Sequence, residues 1–190
     1  MNKSTVVLVS FFMVSASAFA FSGGPPDGKT GAPGEGTCND CHDGSGGTTT
    51  VSGPDTYVPG TAYTIEVEVA DSSAMRWGFE AVVLDENGDQ AGSVTITDPT
   101  NPQDSTSGGK TYVKHTSAGT FPGTGGSATW SFDWEPDAYV GIVTVYAAGN
   151  SANNDGSTTG DKTSLGTWNI DPDDTAVEPA SFGKVKSMYN

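Results

Sequence analysis

The chain has 190 residues, with 23 Asp and Glu against 8 Lys and Arg and a formal net charge of −15. No run of basic residues is present, which excludes a nucleic-acid binder, because affinity for phosphate rests on grouped Lys and Arg. Hydrophobic residues make up 34% and the 26 glycines all lie beyond residue 20, so the composition allows one lean core with many turns and few helices.

The first twenty residues read as a secretory signal peptide. Lys3 supplies the basic start, Val6 to Val14 an apolar stretch, and Ala18-Phe19-Ala20 the small residues of a cleavage site, placed here after Ala20. No cysteine follows closely enough for a lipid anchor. No later run approaches the roughly 20 apolar residues of a membrane helix. The expected mature protein is therefore exported, to the periplasm or beyond the cell, and more acidic still once Lys3 is removed. Residues 21–47 are rich in Gly and Pro and nearly devoid of apolar side chains, which predicts an irregular arm.

From Thr48 the texture is that of strands. Thr64-Ile65-Glu66-Val67-Glu68-Val69 alternates, placing Ile65, Val67 and Val69 on one face and the carboxylates on the other. Ser127 to Trp134 repeats the pattern with aromatic residues inward. Trp77 to Leu84 and Gly141 to Ala148 are denser apolar runs, as expected of strands covered on both sides. Turn signals separate these runs, and Asn87-Gly88 predicts a primed two-residue hairpin with positive φ at both positions. Seven to nine short strands of this kind read as an all-β, antiparallel β-sandwich over residues 48–170. Residues 171–190 read as a polar linker and a short terminal helix carrying Phe182, Val185 and Met188 or Tyr189 on one face. The tryptophans Trp77, Trp130, Trp134 and Trp168 read as core.

The chain has two cysteines and two histidines, and three of these four share the pentapeptide Cys38-Asn39-Asp40-Cys41-His42. Thiols three positions apart can add across both vinyl groups of one haem, and the adjacent imidazole can then reach the iron. A Cys38–Cys41 disulfide is the competing reading. Zinc fits poorly, since two Cys and one local His are one ligand short of a closed structural site. For the second axial position the sequence offers His115, in Tyr112-Val113-Lys114-His115-Thr116, and the methionines Met75 and Met188. The polar stretch from Asn150 to Asp161 carries many side-chain oxygens. Its spacing fits turn chemistry better than a helix-flanked calcium loop. The carboxylates are scattered, so no acid/base pair stands out and no catalytic residue is assigned.

The order of segments resembles a bacterial family. The arm Gly-Gly-Pro-Pro-Asp-Gly precedes the Cys38 to His42 motif, followed by Arg76-Trp77-Gly78-Phe79, Tyr112 to Thr116, Tyr146-Ala147-Ala148-Gly149-Asn150 and the ending Phe182 to Tyr189. Together they resemble the choice-of-anchor V family of exported proteins, which look like a reeler domain with a haem-binding arm added. The resemblance implies an immunoglobulin-like sandwich displayed outside the cytoplasm, with Cys38, Cys41 and His42 as haem-binding positions. It strengthens the pairing of His115 with the iron.

The expectation is thus an exported c-type cytochrome with one covalent haem c. Cys38 and Cys41 are the attachment points, His42 and His115 the iron ligands, and the role is one-electron transfer rather than enzymatic catalysis. Its partner is expected to be a redox protein with a basic docking surface. The alternative is an extracellular adhesion or matrix domain in which haem is structural or absent. If the distal position is open, gas binding or weak peroxidase chemistry is the third possibility. If His115 serves a neighbouring molecule's haem, the chain self-assembles.

Overall fold

The computed structural model describes residues 21–173; the expected terminal helix with Met188 lies outside these described residues, as does the signal segment. Eleven strands form two sheets: β1 (Gly44–Ser45), β2 (Thr48–Ser52), β3 (Thr56–Tyr57), β4 (Tyr63–Asp71), β5 (Arg76–Leu84), β6 (Ser93–Thr95), β7 (Pro102–Ser107), β8 (Lys110–His115), β9 (Gly126–Glu135), β10 (Val143–Ala152) and β11 (Lys162–Pro172). The larger sheet runs β1-β11-β10-β5-β8-β7 with β3 also on β11, and the smaller runs β2-β4-β9-β6. Among the described residues all pairings are antiparallel except the two short parallel ones, β1 and β3 on β11. The all-β sandwich expected from the sequence is therefore present, with more strands because several are only two or three residues long.

Alternation decides which faces meet. In β4, Ile65, Val67 and Val69 are buried while Glu66 and Glu68 are exposed; in β9, Ala128, Trp130, Phe132 and Trp134 are buried. The two strands pair residue for residue, with Val67 opposite Trp130 and Ile65 opposite Phe132. Against this face pack Trp77, Phe79, Ala81 and Val83 of β5 with Val143, Val145 and Ala147 of β10. Phe79 stacks on Trp130 with ring centroids 4.4 Å apart, a contact that adds specificity to the area buried. Trp77, Trp130 and Trp134 lie in this core, and Trp168 packs half-buried at its edge.

The remaining residues of β5 face the other way and are also covered. Val82, Leu84 and Tyr112 form a second small cluster with Ala32 from the arm. The dense apolar run of β5 thus reflects burial on both faces, one by the opposing sheet and one by residues 21–37. Those residues adopt no regular structure but are tied down by charge: Lys110 reaches Glu35 at 3.0 Å, and the Tyr112 hydroxyl donates to Glu35 at 2.8 Å.

Two expectations change. The turn after β5 is not a two-residue primed turn, because Asn87 lacks a positive φ while Gly88 has φ +84°. Instead Asp85 and Asp89 close a longer loop by a backbone bond of 2.9 Å, and the Asp85 carboxylate accepts the N–H groups of Asn87 and Asp89. An aspartate that caps its own turn removes the need for two left-handed residues. The polar loop is also shorter than its composition suggests. Asn150, Ser151 and Ala152 continue β10, paired with Gly78, Trp77 and Arg76, so only residues 153–161 leave the sheet.

Candidate haem-binding site

Cys38, Asn39 and Asp40 form one 3-10 turn, capped by the Thr37 hydroxyl accepting from the Asn39 N–H at 3.1 Å. The N–H groups of Cys41 and His42 both return to the Cys38 carbonyl, at 3.2 and 3.0 Å. Tight winding therefore presents both thiols and the imidazole from a single short loop. The first residues of β11 hold that loop against the sandwich. Gly44 and Ser45 pair with Lys162 and Thr163, and the Thr163 hydroxyl is shared between the Asn39 side chain and the Gly44 carbonyl. The Asp43 carboxylate accepts from the Gly160 N–H at 2.9 Å.

The His42 side chain is 16% exposed, and its Nδ1 lies 2.8 Å from Oδ2 of Asp161, whose side chain is 1% exposed. An ionised carboxylate only accepts, so this contact takes the Nδ1–H, and in the neutral imidazole the lone pair is then on Nε2. Nε2 stands 3.4 Å from the Asn150 amide nitrogen. The second Asp161 oxygen accepts from the Asn153 N–H at 3.0 Å, so both carboxylate oxygens are engaged.

Cys38, Cys41 and His42 form one wall of a cavity of about 820 Å³, counted to its open mouth. The other walls are Phe21, Pro25 and Pro26 of the arm, Trp77, Gly78 and Phe79 of β5, Asn150 and Ala152 of β10, and His115 at the end of β8. The structure therefore brings all four residues singled out in the sequence, Cys38, Cys41, His42 and His115, to one cavity. Met75 is 41% exposed and is not among the residues that line it.

His115 is buried and every ring nitrogen has a backbone partner. Nδ1 lies 3.1 Å from the Phe79 N–H and 3.2 Å from the Phe79 carbonyl, and Nε2 lies 3.2 Å from the Phe21 carbonyl. Burial holds this imidazole below its usual pKa, which favours the neutral ring. Burial, assisted by the nearby Glu80 carboxylate, pushes the half-buried Cys38 thiol up to about 12, whereas Cys41 is exposed. Glu80 itself is fully buried; its Oε1 has no hydrogen-bond partner, and desolvation raises its carboxyl to about 7.

These residues fit a covalently bound haem. Two thiols and an imidazole share the wall, the other walls are largely apolar, and Arg76, whose guanidinium bonds only the neutral Thr120 and Asn154 side chains, is a cation suited to meet a carboxylate substituent, whereas Lys29 is paired with Asp40 at 2.6 Å. The Oδ1 of Asn150, which also lines the cavity, is buried without a hydrogen-bond partner. Among the described residues no group of three or more His, Cys, Asp and Glu is arranged to hold a bare metal ion. The polar loop satisfies its own side chains: Asp155 accepts from the Asn153 amide at 3.1 Å and the Ser157 N–H at 2.7 Å. That is the turn chemistry expected of the stretch from Asn150 to Asp161, confined here to residues 153–161.

Asp161, Asn150, Arg76 and Gly78 are parts of the site that the motif does not announce. Asp161 stands 119 positions from His42, so no local pattern connects them.

No protein-family model matches the chain, and no curated protein matches it. Among solved structures it is similar to a cohesin module from a Clostridium perfringens family 33 glycoside hydrolase, at 11% identity and a TM-score of 0.44, over 68% of this chain and 99% of that one. A non-cellulosomal cohesin from Archaeoglobus fulgidus gives 13% and 0.39, over 70% and 96%. A CARDB domain from Pyrococcus furiosus, in complex with di-metal ions, gives 12% and 0.35, over 69% and 90%. Among the described residues no helix is long and apolar enough to cross a membrane.

Proposed function

We propose that this protein is an exported c-type cytochrome that carries one covalent haem and transfers single electrons. The observation that carries the proposal is the His42 geometry. Its Nδ1 is committed to a buried carboxylate, and its Nε2 is left as a lone pair on a cavity wall shared with Cys38 and Cys41. When bound, haem supplies a reversible Fe(III)/Fe(II) couple. Every other contribution comes from the chain.

Cys38 and Cys41 would hold the group covalently and His42 would ligate its iron. His115 would supply a second nitrogen to the iron. Its Nδ1 faces both the N–H and the carbonyl of Phe79, so it can accept in one tautomer and donate in the other. Releasing the Phe21 carbonyl frees Nε2 without leaving Nδ1 unpaired. Trp77, Phe79 and the arm prolines would exclude water, and Arg76 could receive a carboxylate of the bound group.

The proposed organisation is a signal peptide over residues 1–20, a haem-bearing arm over 21–47, a sandwich over 48–170 and a terminal segment over 171–190. The resemblance to choice-of-anchor V proteins supports export and a reeler-like sandwich. A net charge of −15 favours a redox partner with a basic docking surface, whose association slows as salt rises.

The test is the optical spectrum, oxidised and dithionite-reduced, of protein made with a haem-maturation system. Covalently retained haem with sharp reduced bands is expected, with a change from low to high spin in His115→Ala. A protein that folds and exports without covalent haem overturns the proposal. Haem that is present but indifferent to the substitution removes His115 from the iron.

A further inference from the structure

We propose that Asp161 is the positioning residue for His42: its carboxylate fixes the imidazole's tautomer and, through the Nδ1–H bond, makes Nε2 a stronger donor that holds the bound iron at a lower potential. This inference rests on the haem reading above, but the hydrogen bond on which it stands is present in the chain itself.

The contact is short, direct and dry. Asp161 Oδ2 lies 2.8 Å from Nδ1, and the carboxylate is 1% exposed. A hydrogen bond from an imidazole to an ionised acceptor is roughly twice as strong as one between neutral groups, and low local polarity strengthens it further. The carboxylate cannot rotate away. Its other oxygen takes the Asn153 N–H, and the chain beside it is pinned where Lys162 and Thr163 pair with Gly44 and Ser45. The neighbouring cation is engaged elsewhere, since Lys162 Nζ bonds Asp71 at 2.7 Å. The negative charge is therefore directed at Nδ1–H.

A carboxylate behind a metal-bound histidine raises the basicity of the ligating nitrogen. Greater donation favours the oxidised iron over the reduced, because the additional positive charge is the one it stabilises. Second-shell bonding of this kind is one of the levers by which a protein sets a haem potential. Asp161 is thus placed to make the protein a low-potential carrier, suited to receive electrons only from comparably reducing donors.

The experiment is potentiometric titration of wild type, Asp161→Asn, Asp161→Glu and Asp155→Asn, each checked for covalent haem on a denaturing gel. At a fixed mediator potential, Asp161→Asn is expected to lower the oxidised-to-reduced ratio at least tenfold, equivalent to 59 mV for one electron. Asp161→Glu, which keeps the charge, should recover part of that change. Asp155→Asn removes an exposed charge from the same loop without touching the Asp161 carboxylate and should leave the potential in place. Haem-bearing Asp161→Asn with an unchanged potential overturns the inference alone. An equal shift in Asp155→Asn also overturns it, by assigning the effect to loop charge in general. Wild type without covalent haem overturns the haem reading and this one together.

A second measurement needs no haem. In the Cys38→Ala/Cys41→Ala chain, the His42 Nδ1–H should give a downfield, slowly exchanging proton resonance that Asp161→Asn abolishes. Its absence from the folded parent would overturn the inference.

Discussion

A Cβ built on Gly78 would stand 2.9 Å from Cε1 of His115 and 3.2 Å from its Nδ1. Gly78 is therefore what lets the imidazole lie flat against β5, where its ring replaces the ladder that stops at the pair Glu80–Lys114. The ring has little freedom to yield, because Phe79 and Phe21 hold both nitrogens.

Gly78→Ala should therefore behave as an overpacking substitution, not as a change of backbone preference. Overpacking a closed site typically costs about 1–3 kcal/mol. A fall in denaturation free energy of that size is expected in the haem-free protein. In the haem-bearing protein, the same substitution should mimic the spectral change of His115→Ala. Wild-type stability and spectrum together would show that the ring moves aside freely.

Glu80 makes stability fall as pH rises. The folded protein binds this proton more tightly than the unfolded chain, since burial raises the carboxyl from 4.5 to about 7. Between those values the folded state holds the extra proton, so stability declines with increasing pH and the penalty is complete above about 7. The gap corresponds to roughly 3 kcal/mol. Glu80→Gln is expected to be more stable than wild type by about 2–3 kcal/mol at pH 8 and nearly equal to it at pH 4.5. Urea denaturation at the two pH values measures the difference, and a constant offset would mean that Glu80 does not titrate in the folded range.

The two thiols should react unequally in haem-free protein. The thiolate is the nucleophile, and Cys38, half-buried with its thiol pushed up to about 12, has almost none at pH 8. Cys41 is exposed. A maleimide should therefore modify one cysteine quickly, mapped by mass spectrometry to Cys41, and Cys38 only on unfolding. Two fast equivalents, or none because of a disulfide, would contradict this environment.

The outward carboxylates and inward aliphatics of β4 were legible because a strand with one face in water must alternate with period two. The apolar run of β5 correctly implied cover on both sides, but its sequence could not say that residues 21–37 provide one cover. That arm is recognisable only as Gly and Pro, and it packs through little more than Ala32 and a set of ion pairs. The motif Cys38 to His42 announced itself by spacing. Asp161 did not, since it sits at the end of a polar loop among other side-chain oxygens and meets His42 only because β1 pairs with β11. His115, though distant in sequence, stood out as the chain's only other histidine; Asp161, one of many side-chain oxygens, did not.

That arm is clamped by one cation. Lys114 Nζ bonds the Pro25 carbonyl at 2.9 Å and the Asp27 carboxylate, and lies 3.9 Å from Glu80 Oε1. Burial tends to raise the Asp27 carboxyl, but its hydrogen bonds to Lys114 and Ser105 outweigh that and leave it below the ordinary range. Lys114→Met keeps the stem that packs under the arm and removes the charge, leaving two carboxylates facing each other without it. Breaking one partner of a buried pair costs about 3–5 kcal/mol where both are fully dry; the partial exposure of Lys114 and Asp27 brings the expectation nearer 2 kcal/mol at pH 8. Two readouts follow. Protease cleavage within residues 21–36 should accelerate while the sandwich stays intact. The cost should also shrink in a Glu80→Gln background, because the charge that Lys114 faces there is already gone. A double-mutant cycle at pH 8 measures that coupling. Equal costs in both backgrounds would show that Lys114 acts on the arm through Asp27 and Pro25 alone.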